Sequence, residues 1–364
     1  MANTTPFSMS TMFDALPHDL RFPPARQFMN AKPRVIRPPP PPPPFSRSAA
    51  ADSLFCWDWE ITEGLTPEIV EIGTFQWIFN LMTRSDDDVP HFKDVISVFD
   101  IRERERMVYM LTSDSDFFMD IARDINGSKN IQRLMGKSEY MDAVFCEAIT
   151  RLFLQVMTNK FASYVGIQGT RVFQQDKKEP LYELILQYGL YLARDQHGCI
   201  ALNQVITDLD HSSYRNQLLD LVAINAVWLS NDHYGNFVIQ HLLRLKDMRC
   251  TRNIAVNLRG HYVDLSFKKF GSYIVEGLLK VGDSVMEEVV MDLVKCEGER
   301  LMRLARSEYG NFVVRKALGL TKKNYMTADL FNGLVKKLIP FRHLLPRSPG
   351  RNIATILDSV LISS

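Results

Sequence analysis

A hexapeptide that recurs at intervals near 36 residues constrains this 364-residue chain more than any other feature. Its copies are GSKNIQ (127–132), ASYVGI (162–167), GCIALN (198–203), GNFVIQ (235–240), GSYIVE (271–276), GNFVVR (310–315) and GRNIAT (350–355). The second residues, Ser128, Ser163, Cys199, Asn236, Ser272, Asn311 and Arg351, are separated by 35, 36, 37, 36, 39 and 40 positions. An apolar helix opened by a small residue at such a period predicts an α-solenoid, because each unit can bury its face only by stacking on its neighbours. The leading Gly or Ala marks a tight turn or a close approach of helices where a larger side chain has no room. A competing copy, GTRVFQ (169–174), with Thr170, Arg171 and Gln174 as its key residues, would give separations of 42 and 29; the even spacing favours ASYVGI.

The clearest copy, NDHYGNFVIQ (231–240), divides its residues between two faces. At about 100° per residue, Asn236, Phe237 and Gln240 share one sector, while Val238, Ile239, Leu242 and Leu243 lie opposite. The apolar set is for packing. The other set presents two amides one turn apart beside a flat ring, a combination suited to a nucleobase. Asn and Ser at such positions also suit helix N-caps, which alone would account for Asn236, Asn311, Ser272 and Ser128. Capping leaves Gln240 and Glu276, one turn later on the same face, without a role.

Residues 1–65 are rich in Pro, Ser and Thr and read as a disordered arm. Pro38 to Pro44 form an unbroken run, a polyproline II rod that serves either as a stiff spacer or as a ligand for an SH3, WW or profilin-like partner. The solenoid then covers 66–364, with a cap over about 66–111 and repeats over about 112–364. Helical spacing begins at Glu68–Met82 and Asp100–Leu111, broken by Asp86, Asp87, Asp88 and Pro90.

A net charge of +1 hides an asymmetry: residues 226–364 carry 21 Lys+Arg against 13 Asp+Glu, whereas 1–225 carry 22 against 29. The C-terminal part therefore favours a polyanion. Five cysteines, none in a CxxC pair, read as reduced thiols, and neither a secretory leader nor an apolar stretch of about 18 residues is present. The eight histidines have no metal-ligand spacing; His233 and His241 flank the best copy as solvent-facing or capping residues. Without a metal, phosphate-loop or nucleophile motif, the sequence gives no reason to expect an enzyme or a cofactor.

The motifs YGNFVIQ (234–240), FGSYIVE (270–276) and YGNFVVR (309–315), at this period, resemble the Pumilio (PUF) repeat of RNA-binding proteins over about residues 100–364. The resemblance implies a right-handed, curved α-solenoid in which each unit binds one base of single-stranded RNA. Two residues one turn apart would touch the base edge, and the residue after the first would stack between bases. Asn236 and Gln240 with stacking Phe237 resemble a uracil reader. Ser272 and Glu276 with Tyr273 resemble a guanine reader, since a carboxylate accepts from both N1–H and N2–H. Asn311 with Phe312 resembles a uracil reader too, but Arg315 stands where Gln is expected and can only donate, to the uracil O2 or to a phosphate. Ser128 and Gln132 resemble an adenine reader with Lys129 in the stacking slot.

Two trios depart from the pattern and should discriminate poorly: Cys199, Ile200 and Asn203, and Ser163, Tyr164 and Ile167. The last copy, Arg351, Asn352 and Thr355, looks like a terminal cap. The family's antiparallel polarity turns the string into 5′-UGUNNA-3′. The resemblance further implies a monomer acting on messenger 3′ untranslated regions in the cytoplasm, with translation-repression or decay factors as partners. The rivals are a protein-binding solenoid with weak or lost RNA specificity, favoured by the near-neutral charge, and a nucleolar ribosome-assembly factor.

Overall fold

In the computed structural model the described residues are 67–84, 92–209, 213–323 and 325–363. The whole N-terminal arm, 1–65, with its polyproline run, lies outside them. Every regular element among the described residues is helical. Eight helices stack side by side as a front layer: Pro67–Thr83, Ile125–Leu134, Ser163–Val172, Gly198–Asp208, Gly235–Arg244, Lys269–Leu278, Gly310–Thr321 and Arg351–Ser363, each packed on the next. A back layer runs behind them through Ile101–Ser113, Glu139–Arg151, Gln175–Ala193, Ser213–Ile224, Met248–Leu258, Asp283–Lys295 and Ala328–Leu338. The fold is thus a helical solenoid. Its third front helix starts at Ser163, the register set by the even spacing; Thr170 of the competing copy is buried near that helix's end, its hydroxyl donating to the Ile167 carbonyl at 2.7 Å.

Short helices such as Phe153–Met157, Ala226–Leu229 and Tyr262–Ser266 lead into the front helices. Before Gly198 the same place is taken by the end of the 19-residue helix Gln175–Ala193. The opening glycine follows from this arrangement. A Cβ on Gly127 would lie 2.1 Å from the Ile121 carbonyl oxygen, and one on Gly271 would lie 2.5 Å from that of Leu265. In both units the obstructing carbonyl belongs to the leading helix, six residues earlier. The glycine permits contact rather than an unusual backbone angle.

Between the layers sits the apolar core. Val238, Ile239, Leu242 and Leu243 are all buried, the face expected from their spacing, and each contributes about 1.5–3 kcal/mol by leaving water. The buried residues group into two clusters, one from Ile78 to Leu181 and one from Phe153 to Leu357, each running through several units.

The segment read as a cap has the two-layer form of a full unit. Pro67–Thr83 stands in the front layer, Ile101–Ser113 in the back layer, and an additional helix, Phe92–Val98, lies between them in the chain. Asp100 opens the back helix with a capping box: its side chain accepts from the Glu103 amide at 2.8 Å while Glu103 accepts from the Asp100 amide at 2.7 Å. The front helix is joined to the first repeat by Asn126 and Asn130. Their Nδ2 groups donate to the carbonyls of Thr83 at 3.2 Å and Met82 at 3.0 Å, satisfying acceptors that a helix end leaves open.

Candidate nucleic-acid interface

On each front helix the expected stacking slot points away from the core. Tyr164, Ile200, Tyr273 and Phe312 are 49, 41, 45 and 45% exposed, Lys129 and Asn352 are exposed, and Phe237 is half-buried. Large apolar side chains left in water at one place per unit, on adjacent helices, form a row that core packing does not explain.

The residue before each slot is placed differently. Ser128, Ser163, Cys199, Asn236, Ser272 and Asn311 are all buried at the start of their helices. Both N–H groups of Asn236 are spent on the chain, donating to the carbonyls of Asp232 at 2.9 Å and His233 at 2.7 Å. Asn311 repeats this with Ser307 at 2.9 Å and Glu308 at 2.8 Å. Ser272 donates to the Lys269 carbonyl at 2.9 Å, and Ser128 reaches the Phe161 carbonyl of the next unit at 2.7 Å. None of these side chains acts as an N-cap acceptor. Toward a ligand they offer oxygen lone pairs.

Capping is done four residues earlier. Asp124 accepts from the amides of Asn126 and Gly127, both at 2.8 Å, and Asn159 from Phe161 at 2.9 Å and Ala162 at 3.0 Å. Asp195 does the same for His197 and Gly198, Asp232 for Tyr234 and Gly235, and Ser307 for Gly310. The signal is legible as Asp, Asn or Ser three places before the small residue; only Lys268 and Arg347 break it. Asp232 also binds Arg194 of the preceding unit at 2.8 Å, and that guanidinium covers the Trp228 ring at 4.1 Å. This link between units was not apparent from the repeat alone.

One turn after the buried residue comes the second edge position. Gln240 is half-buried and donates through Nε2 to Asn236 Oδ1 at 2.9 Å, which keeps its Oε1 and one N–H for a ligand. Gln132 donates to the Ser128 carbonyl at 3.1 Å and hydroxyl at 3.2 Å. Glu276 is half-buried beside Lys280, Lys316 and Arg315; burial raises its carboxyl above the ordinary range, and the three cations partly oppose the rise. Arg315 is exposed, its guanidinium 5.7 Å from the Phe312 ring.

The central trios differ from one another. Ile167, a candidate edge residue of the second unit, is 2% exposed and lies in the core, so it has no atom to offer a base. The aliphatic side chain followed the apolar stripe of its helix. Cys199 donates to the Gln196 carbonyl at 3.4 Å, and burial pushes its thiol up to about 12, which keeps it neutral. Asn203 is half-buried with Oδ1 turned away from solvent, leaving its amide N–H groups for a partner. In the final copy Arg351, Asn352 and Thr355 are all exposed on the front helix, while Ile353, Ala354 and Leu357 are buried against the unit before it. His233 is exposed, edge-on to Tyr234 and Phe270; His241 is half-buried, with Nε2 2.9 Å from the Thr207 hydroxyl.

Comparisons with known proteins agree with this architecture. A family model described as the Pumilio-family RNA binding repeat matches residues 190–223, 225–245 and 261–292. Pumilio homolog 18 of Arabidopsis thaliana is 52% identical over 354 residues, covering 97% of each chain. Among solved structures, the Puf4 RNA binding domain bound to an HO endonuclease RNA 3′ UTR recognition sequence superposes with a TM-score of 0.66 at 18% identity, over 80% of this chain and 90% of that one. The RNA-binding domain of yeast Puf5p bound to MFA2 RNA gives 0.62 at 14% identity, over 82% and 89%. The two structures speak for the fold, and the full-length relative for descent: this chain belongs to the Pumilio family of RNA-binding repeat proteins.

Proposed function

We propose that the protein binds single-stranded RNA across its front layer and reads 5′-UGUNNA-3′, the C-terminal units holding the 5′ end. The observation that carries this reading is the exposed row from Tyr164 to Phe312, with a hydrogen-bonding side chain one turn away in four units. Base faces stack on such a row regardless of sequence, and the edge residues then choose among bases.

The hydrogen bonds within the trios support the letter order. Gln240 keeps one acceptor and one donor, the complement of a uracil N3–H and its neighbouring carbonyl. Glu276 offers two acceptor oxygens to guanine N1–H and N2–H. At the first uracil, Asn311 Oδ1 would accept from N3–H while Arg315 donates to O2. Gln132, whose Nε2 is already bonded to Ser128, would accept from adenine N6–H through Oε1. Units two and three, with Ile167 in the core and a neutral Cys199 thiol, impose no comparable choice.

The regulatory part of the proposal is that the protein acts on messenger 3′ untranslated regions in the cytoplasm, altering translation or stability. Fluorescence anisotropy with a UGU-containing oligonucleotide and an ACA control, at two salt concentrations, tests the reading. Preference for UGU that survives higher salt supports it. Equal affinities that fall together with salt would leave a solenoid that recognises only the phosphate backbone.

A further inference from the structure

One hollow borders the proposed RNA track without belonging to any trio. It measures about 770 Å³ and lies between Phe92–Val98 and the C-terminal ends of Ile125–Leu134 and Ser163–Val172. Lys93, Arg104, Arg133 and Lys137 line it, and among the described residues no carboxylate does. The apolar side chains of Phe92 and Ile96 form part of its wall, and Gln132, an edge residue of the first unit, stands at its border. Arg104 Nε is buried there with no hydrogen-bond partner, and Arg133 is steadied by donating to Asn130 Oδ1 at 2.6 Å. Two carboxylates outside its lining are engaged elsewhere: Glu105 accepts from the Ser138 hydroxyl, and Asp142 accepts from the Gly136 amide at 2.7 Å in an adjoining hollow.

Four cations around an apolar wall suit a nucleotide, whose phosphate needs neutralising and whose base needs a dry surface. On the upstream front helix Phe75 packs edge-on against Phe117 at 4.9 Å, and Gln76 donates to Asn80 Oδ1 at 3.5 Å. The hollow opens beside Gln132, where an RNA strand would leave the first trio.

We infer that this hollow holds the nucleotide immediately 3′ of the base read by Ser128 and Gln132, with Lys93, Arg104, Arg133 and Lys137 on its phosphates and Phe92 and Ile96 against its base. The inference rests on the proposed RNA reading and its polarity. It extends the footprint beyond the hexamer without adding a letter to it, since charge and apolar contact do not distinguish bases.

The test compares full-length protein binding to a 5′-UGUNNA-3′ hexamer, the same hexamer with a 3′-phosphate, and an octamer extended by two 3′ nucleotides. The octamer should bind about tenfold more tightly, and its affinity should fall more steeply with salt, by about 0.7 in log–log slope for each added phosphate contact. The phosphorylated hexamer should recover part of the gain, which separates phosphate from base contributions. Neutralising the exposed pair, Lys93→Gln with Lys137→Gln, should remove most of the octamer's advantage and leave hexamer binding unchanged. The distant pair Lys323→Gln with Lys336→Gln should leave the advantage intact. Equal binding of hexamer and octamer by the unaltered protein, or an advantage that survives Lys93→Gln with Lys137→Gln, would overturn the inference. Equal binding of UGU and ACA hexamers is a different failure, that of base reading, and an octamer gain dependent on Lys93 and Lys137 would still support the hollow.

Discussion

Gln240 donates through Nε2 to Asn236 Oδ1 at 2.9 Å, and Asn236 in turn gives both of its N–H groups to the backbone carbonyls of Asp232 and His233. The two amides are therefore unequal: Asn236 holds the turn into the helix, and Gln240 is positioned by it. Asn236→Ala should destabilise the protein by about 1–3 kcal/mol, because it removes the buried side-chain hydrogen bonds to the Asp232 and His233 carbonyls. Gln240→Ala should leave stability nearly unchanged and weaken binding to a UGU oligonucleotide. Chemical denaturation and anisotropy on both variants check the division; a similar loss of stability in each would contradict it.

Glu276 links the guanine preference to pH. Burial raises its carboxyl, so protonation begins at a higher pH than for an exposed glutamate. The ionised form is the one that accepts from guanine, hence the preference for UGU over UUU should be full above the raised value and decline as pH falls through it. Titrating both oligonucleotides from pH 7.5 downward measures this. Ser272→Asn with Glu276→Gln should abolish the pH dependence and move the second letter from G toward U in an in vitro selection.

Exposure along the stacking row allows binding to be separated from folding. Tyr273→Ala and Phe312→Ala remove side chains that are already 45% exposed, so melting temperatures should shift little while affinity falls by about 1–3 kcal/mol per stacked base. Phe237, being half-buried, should show a loss in both measurements.

Two glycines on front helices should respond oppositely to alanine. At Gly127 the added Cβ would meet the Ile121 carbonyl oxygen at 2.1 Å, forcing the leading helix away, and a loss of several kcal/mol is expected. At Gly319, inside Gly310–Thr321, nothing lies within 4 Å, and the better helix propensity should stabilise the protein by about 0.5–1 kcal/mol. Thermal denaturation of the two variants separates close approach from simple scarcity of side chains.

The sequence by itself determined the repeat, the register and the faces. A period near 36 with apolar residues at helical spacing admits few folds, and the small residue before Asn236 or Ser272 announced a contact that the Leu229 and Leu265 carbonyls supply. The exposed row of large side chains was likewise legible, since helix geometry alone sets Phe312 and Tyr273 apart from the core. Tertiary structure decided what each polar group has left to give. Ser128 bonds to a carbonyl in another unit and Arg194 crosses to Asp232, neither of which follows from spacing within one helix. It also decided that the segment before the first copy forms a full two-layer unit, and that Lys93, Arg104, Arg133 and Lys137 meet around one hollow. Local periodicity fixes which way a side chain points; only the stacking of neighbouring units fixes which atoms it meets there.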